Sequence, residues 1–414
     1  MKFSGFPDMM APLWVVVPTY WGNATEGIYD HPTPLGGEST LPRLLDSLVR
    51  QDYSYEFTVL ILLSTTSPAL EGEAVLCLRK LLAPYATKLN LLLADASAAR
   101  HLSQTLNAHH LDLGVASMRG YAAVRNMQLL VPMTLGAQVI AAVDDDEVLP
   151  ASYLSQAMKW IGKQQDGVRI TGIGGPYLDA SGSPFMAEAA QVRNILTDKS
   201  IFMNTTLRQA MGKFMSLRTE RSNLLPNEGN SREMTDVLKE TPMAFGGNMV
   251  FHRELFTQVG FDPAITRGED IDYVINARIA GQVFHFDSHL TITHLPPRHF
   301  EAPEYAKMRL DVTRFVYERE KIRHFGLPAQ EFMPYPGKLL GDEFDRAALD
   351  ALHDCATPEM ISQFGSPVDV LQEAHAHARR AVLEYQAFAQ QWKRGNAILD
   401  SEEIQSGLIS MLRI

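Results

Sequence analysis

The sequence predicts an α/β protein, with a mostly parallel central sheet flanked by helices over residues 1–300 and a helical C-terminal appendage over residues 301–414. Three observations lead there. The apolar runs at residues 13–17 and 57–63 are nearly continuous, as in strands buried on both faces, and do not alternate as half-exposed strands do. Between such runs lie stretches with helical apolar spacing, and strand–helix–strand order puts helices on the faces of a parallel sheet. Beyond residue 300 the spacing is helical almost throughout.

In chain order, the apolar runs predict strands over 13–17, 57–63, 89–94 and 138–143, with helices over 41–51, 71–82, 97–108 and 120–130. Residues 21–39 form a long insert after the first strand, read by default as a solvent-facing loop. Residues 176–242 are polar loops around a helix at 207–217. A Gly-rich strand at 246–251 follows, then a helix opening at Glu269, whose Ile271, Val274, Ile275 and Ile279 predict one buried face. A strand is expected over 282–293. The appendage reads as helices over 303–325, 342–355 and 368–393, punctuated by Pro328, Pro334, Pro336, Pro358 and Pro367.

Composition narrows the partners. Hydrophobic residues at 46% and charged residues at 21% belong to a folded chain, not a disordered one. Against 48 acidic residues stand 37 Lys and Arg, a net charge of −11 that disfavours a polyanion, so no nucleic-acid partner is expected. A small anionic nucleotide stays compatible, because one cation and a few donors neutralise a diphosphate locally. Cys77 and Cys355 lack metal-ligand spacing and read as reduced thiols. No apolar stretch approaches the roughly 20 residues of a membrane helix. Residues 1–12 also lack the features of a signal peptide, so a cytoplasmic location is expected and the sequons at Asn23 and Asn204 carry no weight. The basic residues Lys307, Arg309, Arg314, Arg319, Lys321 and Arg323 are interleaved with acidic ones, which predicts a solvated, self-paired helix face.

Two constellations carry chemistry. The strand at 138–143 ends in Asp144-Asp145-Asp146-Glu147, carboxylates that repel one another unless a cation compensates them. The carboxyl edge of such strands is where α/β sheets bind ligands. Hard oxygen ligands suit magnesium or manganese; an acidic turn capping the helix near Pro150 is the alternative. The second constellation is Gly246-Gly247-Asn248, then Gly268-Glu269-Asp270. Carboxylates in a first helical turn fit the helix dipole, and the pair also fits a general base with a supporting neighbour. His294, before Leu295-Pro296-Pro297, is either a manganese ligand or a hydrogen-bonded structural histidine, with His285, His289 and His299 as competitors.

Taken in order, these pieces resemble the family 2 glycosyltransferases of GT-A fold. The resemblance covers residues 12–295. It runs from Val15-Val16-Val17-Pro18-Thr19-Tyr20, through Leu44-Leu45-Asp46-Ser47-Leu48 and Gln51, to Arg125-Asn126, the Asp-x-Asp at Asp144 and Asp146, the Gly-Gly-Asn segment and the Glu-Asp helix. It implies a nucleotide-diphospho-sugar transferase that uses Mn2+ or Mg2+, takes a nucleotide-sugar donor, and glycosylates a saccharide or small-molecule acceptor. By that analogy Pro18, Tyr20, Arg125, Asp144, Asp145 and Asn248 bind the donor, and Asp146 with His294 binds the metal. Asp270 is then the catalytic base, supported by Glu269, which implies inversion at the anomeric carbon. Related GT-A synthases that glycosylate small acids such as glycerate retain configuration, and that alternative stays open. A nucleotidyltransferase or a non-catalytic binding subunit are further alternatives; the first lacks its Gly-rich basic loop here, and the crowded carboxylates argue against the second. The chain departs from the family after the second strand, where Ser64-Thr65-Thr66-Ser67 replaces an acidic turn that reads the nucleobase; Asp95 is a substitute. The C-terminal helices are expected to pack on the catalytic domain or to form a homo-oligomer.

Overall fold

The computed structural model describes residues 13–22, 29, 32–111, 114–182, 238–242, 244–296, 304–332 and 344–413. The expected helix at 207–217, both sequons, His299, Pro334 and Pro336 lie outside these residues.

The strand β1 (Leu13–Trp21) is buried along almost its whole length, which explains its unbroken apolar run. It pairs in parallel with β2 (Phe57–Thr65) on one side and with β4 (Val139–Ala142) on the other. Beyond β2 lies β3 (Asn90–Ala94), also parallel. Intervening helices α1 (Leu41–Val49), α2 (Glu71–Leu82), α3 (Ala96–Ala108) and α4 (Tyr121–Thr134) cover the two faces, so the sheet lies between two apolar clusters. The four parallel strands and four helices correspond to the expected elements with ends shifted by a few residues.

Past β4 the strands are short, and the sequence signalled none of them before the one at Met249–His252, which overlaps the expected Gly-rich strand. After the acidic turn come β5 (Glu147–Val148) and α5 (Tyr153–Trp160), then a hairpin of β6 (Gln164–Gln165) and β7 (Val168–Arg169). Next are β8 (Gly172–Gly174), β9 (Tyr177–Leu178), β10 (Lys239–Glu240) and β11 (Met249–His252). The main sheet has the order β10-β12-β8-β11-β4-β1-β2-β3, where β12 is Phe284–Phe286 and β11 runs antiparallel to β4. The strand expected over 282–293 is two strands in different sheets. Phe284–Phe286 (β12) joins the main sheet, and Ile292–His294 (β13) pairs with β5 and β9 in a small second sheet. The turn at Asp287 divides them: its carboxylate accepts from the His289 backbone and from Gln156, and this local bonding competes with strand pairing.

Helix α6 (Arg253–Phe256) is a single turn, and α7 (Glu269–Ile279) departs from the one-faced pattern expected of it. Its polar Asp272 and Asn276 are as buried as its isoleucines, because a further helix closes over them. That helix is α8 (Glu304–His324), followed by α9 (Phe344–Cys355), α10 (Pro358–Phe364), α11 (Pro367–Leu399) and α12 (Glu402–Met411). Tyr385, Phe388, Trp392, Leu399, Leu408 and Leu412 belong to the same apolar cluster as Trp14 and Leu60 of the sheet. The Trp392 indole donates to the Phe256 carbonyl at 3.0 Å, and Gly260 permits the approach, since a Cβ there would lie 2.6 Å from the indole. The α8 face expected to be solvated is corrected too: Arg314 and Lys321 are buried, each against carboxylates, as charges must be when removed from water.

Candidate active site

Past Val16, β1 and β4 part company. The last shared rung is Val16 with Ala142, and Pro18 stands beyond it, where β4 no longer calls for a backbone N–H. Into this opening the chain turns through Asp144, Asp145 and Asp146. Thr19 of β1 donates to Asp145 at 2.6 Å and itself accepts from the Trp21 indole. Burial and the adjacent Asp146 push the Asp145 carboxyl up to about 8.

Arg125, in the second turn of α4, is the hub of the site. Its guanidinium forks onto Asp144 at 2.8 and 3.2 Å, and its Nε reaches Glu269 at 3.1 Å. Gln128, one turn on, accepts at 3.2 Å. Burial would lower the pKa of Arg125, but Asp144, Tyr20 and Glu269 hold it well above the usual value, so its charge is fixed. Burial raises Glu269, and Arg125 partly offsets the rise. One guanidinium in two ion pairs thus joins the acidic turn to the first turn of α7, the pair with Asp144 being bidentate. Tyr20 lies in the same field, with its ring against Tyr29 at 4.4 Å and Tyr121 at 5.5 Å. Tyr29 belongs to the insert expected to face solvent, yet it is buried, and it accepts bonds from the Ser64 hydroxyl and the Gly120 backbone.

Asp270 is half-buried, and its two oxygens accept from the backbone N–H of Gly246 at 3.0 Å and of Ile271 at 2.9 Å. The Gly-Gly pair is required by crowding. A Cβ on Gly246 would lie 2.6 Å from the Arg125 guanidinium, and one on Gly247 would lie 2.1 Å from Glu147 and 2.8 Å from Asp144. Asn248, read as a donor contact, is instead an internal strut. It is fully buried, its amide donates to the Leu290 and Pro176 carbonyls, and its oxygen accepts from Tyr153. Each polar group of that side chain therefore has a protein partner.

His294 reaches the acidic turn through strand pairing. β13 runs antiparallel to β5, opposing His294 to Glu147, and the Leu295 N–H bonds the Asp146 carbonyl at 2.9 Å. His294 Nε2 then sits 3.3 Å from Asp146 Oδ2. Two ligands at about 2.1 Å and at right angles around one ion stand about 3 Å apart, so this oxygen–nitrogen pair fits one divalent cation. Among the described residues no group of three or more His, Cys, Asp or Glu is arranged to hold a metal. His285 and His289 are elsewhere, on β12 and beside Asp287.

Two participants escaped the sequence reading. Glu147 is fully buried, accepts from the Asp144 backbone at 3.0 Å, and is held well above the usual carboxylate range by burial and by Asp144 and Asp146. Tyr177 accepts from the Gly247 backbone at 2.9 Å and lies 5.1 Å from the His294 ring. Glu147 was visible as a fourth carboxylate, but nothing in its neighbourhood distinguished it; Tyr177 carried no sequence signal. To one side, at the ends of β2 and β3, is a cavity of about 340 Å³ lined by Thr65, Asp95, Ser97, Arg100, Ser117 and Arg119. Asp95 caps α3 there, accepting from the Ser97 backbone at 2.8 Å.

No protein-family profile matches the chain, and no curated protein matches it. Among solved structures it is similar to a mannosyltransferase from Pyrobaculum calidifontis in complex with GDP-Man and Mn2+, at 16% identity and a TM-score of 0.47, over 96% of this chain and 91% of that one. It is also similar to glucosyl-3-phosphoglycerate synthase from Mycobacterium tuberculosis in complex with Mg2+ and UDP, at 14% identity and a TM-score of 0.34, over 76% of this chain and 80% of that one.

Proposed function

We propose that the protein is a GT-A-type glycosyltransferase that moves a sugar from a nucleoside diphosphate sugar to an acceptor hydroxyl with the help of Mn2+ or Mg2+. One observation carries the reading: at the carboxyl edge of a parallel sheet, Asp146 and His294 stand 3.3 Å apart beside the Arg125–Asp144 ion pair. A cation there would neutralise the diphosphate as it leaves. In this reading Asp144, oriented by Arg125, accepts from donor hydroxyls, and the cavity at Asp95 and Arg119 takes the nucleoside end. Asp270 accepts the proton of the acceptor hydroxyl while that oxygen bonds to the anomeric carbon and the bond to the diphosphate oxygen breaks, giving an inverted product. Retention is the second reading, and the anomeric configuration of the product decides between them.

The test is a thermal-shift screen of UDP- and GDP-sugars with and without Mn2+, followed by assay of nucleoside diphosphate release. Metal-dependent stabilisation by at least one nucleotide sugar is expected, since a ligand of the native state raises stability by mass action. Absence of both stabilisation and release across the panel would remove the proposal.

A further inference from the structure

The turn bearing Asp270 is gripped from outside the sheet. Asp262 and Asp272 bracket it in sequence, and the fully buried Lys321 ammonium of α8 lies 2.6 Å from each of them. Its third bond goes to Asn276 at 3.1 Å, so three donors meet three acceptors. One turn earlier on α8, the Tyr317 hydroxyl lies 2.5 Å from the same Asp262 oxygen. Arg314, a further turn earlier, packs under Gly268, where a Cβ would fall within 1.5 Å of the guanidinium. Gly268 has φ +72°, a left-handed conformation that starts α7. Arg267 adds a longer contact to Asp311 at 3.9 Å. A single helix from the C-terminal region therefore holds both ends and the middle of the segment 262–272.

We propose that Lys321 is a positioning residue for the Glu269–Asp270 turn: by tying Asp262 and Asp272 to one ammonium it fixes where the Asp270 carboxylate stands relative to the acidic turn. The inference rests on Asp270 being the base. Misplacing a catalytic group by about 1 Å costs as much as 100-fold in rate. In the proposed reading the donor lies on the acidic turn and β13, at Asp144, Asp146 and His294, and Arg125 links Asp144 to Glu269. Loss of the tether therefore lowers turnover more than it weakens donor binding.

The experiment compares the full chain with Lys321→Met, the milder Tyr317→Phe, Asp270→Asn, and Leu408→Ala as a destabilised control away from the turn. Each is measured for nucleoside diphosphate release from whichever UDP- or GDP-sugar the parent chain turns over with Mn2+. Binding of UDP and GDP with Mn2+ and amide hydrogen exchange at 268–272 are measured alongside. Lys321→Met should lower kcat by about tenfold or more with nucleotide affinity within about twofold, and Tyr317→Phe should do the same to a smaller degree. Exchange at 268–272 should accelerate in both and not in Leu408→Ala. If Lys321→Met fails to fold, Tyr317→Phe carries the test with the same two readouts. Unchanged kcat, or kcat and affinity falling together as in Leu408→Ala, overturns the proposal while the loss in Asp270→Asn upholds the base. Full activity in Asp270→Asn overturns the base itself, and with it the role proposed for Lys321.

Discussion

At the scale of single residues, the site is built by close approach. Gly247 has Glu147, Tyr177 and Asp144 within contact of its missing Cβ, so Gly247→Ala must displace one of them. Overpacking of this kind costs about 1–3 kcal/mol. We expect a lower melting temperature in Gly247→Ala together with loss of the Mn2+-dependent nucleotide shift, because the displaced groups adjoin the proposed metal ligands Asp146 and His294; retention of the full shift would show that the crowding is immaterial to binding. Asp146→Ala and His294→Ala should each abolish the Mn2+-dependent part of that shift, read by calorimetric titration of Mn2+ with GDP or UDP, and chelation of the parent chain should do the same. Asp272 supplies a pH signature. Burial outweighs Lys321 and raises its carboxyl to about 6 from 3.8. A raised carboxylate pKa contributes stability below the unfolded value and loses it as pH rises through the folded one. The melting temperature of the parent chain should therefore fall between pH 4 and about 6–7, relative to Asp272→Asn, in which that titration is gone. The acidic run at Asp144–Glu147 stood out in the sequence because charge at a strand end needs a reason, whereas Arg125 entered only through the family resemblance. Asn248 was misread, since a polar residue in a Gly-rich strand looks alike whether it bonds a ligand or two carbonyls.

At the scale of elements, legibility followed burial on two faces. The strands β1 to β4 announce themselves as apolar runs because helices cover both sides of the sheet. The two- and three-residue strands β5, β8, β9, β12 and β13 have too few residues to show a period, yet β13 delivers His294 to Asp146. Helix α7 was given one apolar face because its polar residues were credited to solvent; Asp272 and Asn276 are instead satisfied by Lys321, a partner about fifty positions away that no local pattern reveals. Likewise α11 looks amphipathic, but its Trp392 penetrates the shared core beside Gly260. Trp392→Ala should cost about 3–5 kcal/mol in denaturant unfolding, the range for removing a large buried aromatic. A loss below about 1 kcal/mol would mean that α11 rests on the sheet without being part of its core.

At the scale of the whole molecule, the helices after residue 300 are integral to the α/β framework in packing. They complete one apolar cluster of the sheet, bury α7, and reach the far edge of the sheet, where the Leu93 N–H bonds the Leu412 carbonyl at 2.8 Å and Leu92 bridges to Arg413. An uncovered edge strand offers unpaired backbone groups to other chains. That contact sets an order in time. β3 can pair with β2 as soon as both are made, but its outer side must wait for residues 412 and 413, with most of the chain between. Folding dominated by such distant pairings is slow, and its intermediates stay open to self-association while they wait. The protein should therefore refold with a concentration-dependent yield limited by docking of the last helix, in the manner of a zip fastener whose slider is attached last.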